Sequence, residues 1–158
     1  MPAPEVTEWS EADGYAAAAG RDRDRSALSD VPKRSGSAGQ YSHHHRQLRS
    51  RNGKHSPANL VLLTGTGTDG DHGWVHGHVG LATILGYIVH SWADPTRIPI
   101  YRIDAYGLHY DWHLQTDDAQ LELCSPPTDY ADTEITAALA AFESIRLNSR
   151  RAADFHRL

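Results

Sequence analysis

The chain of 158 residues contains one cysteine, one methionine and two phenylalanines. A single cysteine, Cys124, excludes an internal disulfide and any zinc site built from several thiolates. No stretch approaches the roughly 20 apolar residues of a membrane span. The opening segment 1–14 is acidic and lacks the apolar run of a secretory signal. Excess positive charge is also missing, since the formal net charge is -5. Hydrophobic residues make up only 39%, enough for one modest domain with tails. These absences predict a soluble, intracellular (cytoplasmic) protein with no membrane partner.

Charge is unevenly spread. Residues 1–30 carry Glu5, Glu8, Glu11, Asp13, Asp22, Asp24 and Asp30 against Arg21, Arg23 and Arg25. Residues 31–55 carry Lys33, Arg34, Arg46, Arg49, Arg51 and Lys54 and no acid. A basic block of this kind is the footprint expected where phosphates dock. The contrast suggests an acidic arm lying over the basic stretch as an autoinhibitor.

Segment 1–38 reads as poorly ordered. Its alanine stretch and Arg-Asp alternation predict at most a marginal helix, and Ser-Gly-Ser-Ala-Gly at 35–39 reads as a flexible linker. From residue 40 the pattern changes. A strand is expected over 40–48, a turn at 52–54 and a second strand over 60–63. A Gly/Thr-rich loop follows over 65–71, and Asp71 is expected to cap a short helix starting near His72. A further helical turn or two is expected over 80–85. Strands are then predicted at 87–92, 100–103, 106–114 and 121–123, forming a small meander after the first of these. An amphipathic helix over 134–148 closes the chain, with Ile135, Leu139, Phe142 and Ile145 or Leu147 on one face. The fold class is α+β.

Eleven histidines are the main anomaly. His43, His44 and His45 are consecutive in the first strand. His72 and His76, four apart, share a helix face and can grip one ion together. Neutral imidazoles ligate divalent transition metals, and three of them leave positions open for water and a phosphate oxygen. A histidine off the metal can take a proton from attacking water, because its pKa lies near working pH. A side-chain amide such as that of Asn59 can fix a loop by bonding backbone groups.

Three runs carry a resemblance: Tyr-Ser-His-His-His-Arg-Gln-Leu-Arg-Ser, Ser-Pro-Ala-Asn-Leu-Val-Leu-Leu, and Gly-Thr-Gly-Thr-Asp-Gly-Asp-His-Gly-Trp-Val-His. Over roughly 41–100 the chain resembles HNH endonucleases, most closely the small ones encoded by tailed phages and prophages of actinobacteria. The resemblance implies a ββα-metal finger over 40–92, preceded by an acidic linker arm at 1–39 and followed by a β-meander and C-terminal helix at 93–158. It implies one divalent ion (Mg, Mn, Ni or Zn) held by His44, His72 and His76. His45 falls on the general base and Asn59 on the asparagine of the family name. DNA is the implied partner, contacted by Arg46, Arg49, Arg51 and Lys54, with phage genome processing or packaging beside a terminase as the setting. Three consecutive histidines also allow a register one earlier, with His44 as base. In relatives the positions of Thr64 and Asp71 are often cysteines of a structural zinc site. Here that zinc is not expected, and packing alone is expected to hold the finger.

Other motifs point elsewhere. No Gly-Lys-Ser/Thr follows Gly65-Thr66-Gly67, which argues against a nucleotide loop. Trp74 reads as a core anchor for the helix, and His78 faces away from His76. His109 and His113 share a strand face but have no third ligand nearby in sequence. The alternative readings are a non-catalytic zinc-finger-like module that binds nucleic acid, and a metallohydrolase acting on a small molecule.

Overall fold

A computed structural model describes residues 8–33 and 41–155. It is an α+β fold with four helices and two small antiparallel sheets among the described residues. The 35–39 linker and the first residue of the strand expected from 40 lie outside the described residues.

The first element corrects the sequence reading. Residues 8–33 are structured: α1 spans Glu11–Asp22 and a short return follows. The Ser10 side chain accepts from the Asp13 amide at the N-cap, acidic Glu11 and Asp13 sit in the first turn, and Arg23 ends the helix with φ 57. Tertiary contacts supply what propensity lacks. Ala18, Ala27 and Leu28 are fully buried, and the Ala27 amide donates to the Leu62 carbonyl. Removing this segment would open the core, so it is not a detachable inhibitory arm.

β1 (Tyr41–His45) and β2 (Leu60–Thr64) form an antiparallel hairpin in which His44 faces Val61 and His45 faces Leu60. Residues 60–63 are all buried, because α1 and α2 (Gly70–Gly77) both pack on β2. Gly65 (φ +80) makes the tight loop between β2 and α2 possible; a Cβ there would sit 2.1 Å from the Asp69 carbonyl oxygen. α3 (Val79–Ile84) follows directly.

Asp71 is not the N-cap. Asp69 holds that position, and Asp71 lies inside the first turn with its side chain wholly buried. Its carboxylate accepts from the hydroxyls of Ser26, Ser29 and Ser149, while its amide donates to Thr64 Oγ1 at 3.0 Å. A hydrogen-bond network, and not packing alone, therefore ties α2 to the segment after α1 and to the last helix.

The strand expected at 87–92 does not form. Tyr87, Ile88 and Val89 are buried in an irregular segment, and Val89 makes one backbone bond to Arg46. Apolar, branched composition signalled burial there, not pairing. The meander is β3 (Ile100–Ile103), β4 (Tyr110–Gln115) and β5 (Leu121–Leu123) in that order. β4 starts later than expected because Asp104 accepts from the amides of Tyr106, Leu108 and His109 and holds a turn there. α4 (Asp132–Phe155) runs longer than expected and buries Ala138 and Phe142. Tyr101 and Tyr110 meet Phe142 edge-on, closing a core that also contains Val61, Leu63, Val75, Leu85 and Trp112. No helix is long and apolar enough to cross a membrane among the described residues.

Candidate metal centre

Alternation along β1 sorts the three histidines. His44 is buried on the side of α2, whereas His43 and His45 meet Tyr15 of α1. On α2, His72 and His76 stand one turn apart. The three rings converge: His44 Nδ1 lies 3.2 Å from His72 Nε2, and His76 Nε2 lies 3.0 Å from the same atom. One nitrogen from each lies within 4.8 Å of the others.

The second nitrogens fix the protons. His44 Nε2–H donates to the Tyr87 carbonyl at 2.5 Å, which leaves Nδ1 bare. The Ser42 hydroxyl donates to the Gly65 carbonyl at 2.7 Å, so it accepts from His72 Nδ1–H at 2.5 Å and leaves His72 Nε2 bare. Two lone pairs thus face each other without a proton between them. Burial, then the neighbouring His72, holds His44 down at about 3, and burial, then His76 and His45, holds His72 at about 4. Neutral, tautomer-fixed imidazoles are what a divalent transition ion requires. This donor set fits such an ion, and no other group of three or more ligating side chains comes together among the described residues.

His45 is half-buried and its Nε2 lies 3.0 Å from His55 Nδ1. Burial, then His55 and Arg49, brings its pKa down to about 4. It stands close enough that its charge bears on both His44 and His72. Asn59 is buried and clamps the loop after β1: its Oδ1 accepts from the Gln47 amide at 2.6 Å, and its Nδ2 donates to the carbonyls of Gln47 and Lys54. Gln47 in turn donates to the carbonyls of His90 and Ala93.

Among the expected phosphate contacts, Arg46 must be withdrawn. It is fully buried and donates to the carbonyls of Gly86, Ala58, Pro95 and Ile98. Burial lowers its pKa to about 9, and four carbonyl acceptors still suit a cation at neutral pH. Strand alternation carries the reason: Arg46 follows His44 by two and shares its inward face. Arg46→Ala should cost about 3 kcal/mol in urea unfolding, since several buried carbonyls lose their donor. The salt dependence of DNA binding should not change; a shallower salt slope in that variant would restore Arg46 as a phosphate contact. Arg49, Arg51 and Lys54 are exposed, with Lys54 paired to Glu8 at 3.2 Å and Arg49 donating to the Gly53 carbonyl.

Trp74 packs partly against the core and stacks on His78 at 4.9 Å. His113 is buried, with its Nδ1–H bonded to the Asp111 carbonyl, and joins no ligand cluster. His55 was missed by sequence reasoning. A hairpin returns its second arm past its first, so a histidine ten residues beyond His45 was a findable neighbour.

Compared with protein-family models, curated proteins and solved structures, the chain matches none of them.

Proposed function

We propose that this chain is a metal-dependent DNA endonuclease of the HNH type. The observation that carries the reading is the convergence of three imidazole nitrogens, those of His44 and His72 with tautomers fixed by a second bond, at the junction of a β-hairpin and a short helix. Strand, strand and helix in that order, with ligands on the first strand and the helix, is the arrangement a ββα-metal finger requires. An all-imidazole donor set favours a transition ion such as Zn, Ni or Mn over Mg. When bound, the ion supplies Lewis-acid stabilisation of the charge that grows on the phosphate and the leaving oxygen.

The chain's own residues do the rest. His44, His72 and His76 hold the ion. His44 and His45 are adjacent in β1 and so point to opposite faces of that strand. His45, on the other face, takes the proton of the attacking water. Asn59 keeps the loop that follows His45 in place. Exposed Arg49, Arg51 and Lys54 offer charge to flanking phosphates.

The test is nicking of supercoiled plasmid in EDTA, Mg²⁺, Mn²⁺, Ni²⁺ and Zn²⁺, beside His45→Ala. Nicking should require a divalent ion and fall by about 10²–10⁴-fold in the variant. Tight zinc binding with no cleavage under any ion would instead support a non-catalytic metal module that binds nucleic acid.

A further inference from the structure

His55 lies in the return arm of the loop between β1 and β2, and α1 is built against it. Gly14 permits the approach: a Cβ on that residue would stand 1.9 Å from the His55 carbonyl oxygen. Tyr15, one residue on, meets the His55 ring edge-on at 6.0 Å and the His45 ring at 5.9 Å. Glu11, one turn earlier, places a carboxylate oxygen 4.0 Å from His55 Nε2. The other nitrogen, Nδ1, is 3.0 Å from His45 Nε2. Three groups thus stand in a row: carboxylate, imidazole, imidazole.

We propose that His55 is a positioning residue that accepts the Nε2–H of His45, fixing that tautomer and leaving His45 Nδ1 bare to receive a proton. The direction of the bond follows from Glu11. A carboxylate beside His55 Nε2 keeps the proton on that nitrogen, so His55 Nδ1 carries the lone pair. The opposite arrangement would turn a bare His55 Nε2 toward a negative oxygen. Tyr15 itself, His43 stacked on it, and Arg49 are further ionisable groups around the pair, and His44 and His72 stand near enough to feel a charge on His45. A segment that the sequence assigns to a disordered arm therefore orients the residue assigned as base. The catalytic meaning of this bond rests on the nuclease reading above; the bond itself does not.

Two measurements separate them. Long-range ¹H–¹⁵N correlation spectra of the full-length protein at neutral pH report which imidazole nitrogen carries the proton. His45 should be in the Nε2–H form in the wild type and in His55→Asn, whose Oδ1 can accept the same bond, and should lose that preference in His55→Ala. A His45 protonated on Nδ1, or one unaffected by His55→Ala, overturns the proposal. In the nicking assay, His55→Ala should lower kcat by about 10–100-fold with KM and metal affinity unchanged. His55→Asn should recover most of that loss, and His55→Ala should cost nothing further in the His45→Ala background. An equal loss in both backgrounds overturns the positioning role and leaves the nuclease reading standing. A tautomer that tracks His55 in a protein with no metal-dependent nicking supports the bond and removes the nuclease reading.

Discussion

His72→Ala is expected to abolish both metal-dependent nicking and the response of thermal stability to a transition ion, while leaving the ion-free protein about as stable as before. Without an ion, His44 Nδ1 and His72 Nε2 face each other at 3.2 Å with both protons directed elsewhere. That contact has no proton to share and is set in a partly desolvated site, so deleting one ring relieves it. Against this relief stands the loss of the His72–Ser42 hydrogen bond, about 1 kcal/mol, together with the solvent-exposed contact of His72 Nε2 with His76 Nε2. The two nearly cancel. With an ion the balance is different. At roughly a hundredfold excess over Kd, binding stabilises the native state by about 2.7 kcal/mol, or about 5–11 °C in a protein of this size. His72→Ala should lose that increment, and His43→Ala, on the opposite face of β1, should keep it. Thermal scans with Zn²⁺, Ni²⁺, Mn²⁺ and EDTA decide the matter. Full metal stabilisation in His72→Ala, or its loss in His43→Ala, would place the ion elsewhere.

The elements that carry the proposed site were those most readable from sequence. The β1–β2 hairpin and α2 announce themselves through a turn, an apolar run of strand length and a His pair at helical spacing. Asn59 was legible too, because an amide beside a turn has backbone groups to bond, and it bonds them. Apart from the buried apolar segment at 87–89, what failed has a common cause: polar residues that face inward. The alternating Arg-Asp stretch at 21–25 looks like a solvated run, yet Arg21 and Asp22 are buried. Arg46 looks like a phosphate ligand, yet it satisfies four carbonyls. Asp71 looks like a cap, yet it gathers three serines from segments 42, 45 and 78 residues away. Hydrophobic periodicity reports where apolar faces point and is silent on a charge whose partners arrive only with the tertiary fold. The fold of α1 was hidden for the same reason, since it is held by long-range contacts and not by its own propensity.

Asp22→Ala should destabilise the protein by about 3–5 kcal/mol, a large share of the roughly 5–15 kcal/mol that a domain of this kind has in total. The Asp22 side chain has no exposure. One oxygen accepts from Arg21 Nε and from Arg102 Nη2, both at 2.8 Å; the other accepts from Arg21 Nη2 at 3.2 Å and from the Leu62 amide at 2.9 Å. This one carboxylate joins α1, β2 and β3. Its removal leaves two buried guanidinium groups facing each other. Arg21 would keep the carbonyls of Pro57 and Leu60, and Arg102 would keep Gln115 and the Ile103 carbonyl. Neither retains an opposite charge. Asp22→Asn preserves shape but not charge, so it should cost less than alanine and still be well below wild type at neutral pH. Acid should erase that difference. Burial pushes the Asp22 carboxyl up, but Arg102, Arg21 and the Leu62 amide outweigh it and hold the group at about 2. An unfolded aspartate titrates near 3.9. Between those values the unfolded chain binds the proton that the folded chain refuses, so stability falls as pH falls. The contribution is fully present above about pH 4–5 and is lost as pH drops toward about 2. Urea unfolding of wild type and Asp22→Asn should therefore show a gap that is widest at neutral pH and closes through this window. A gap that stayed constant down to about pH 2.5 would mean that the stabilisation comes from the shape of the network and not from the carboxylate charge.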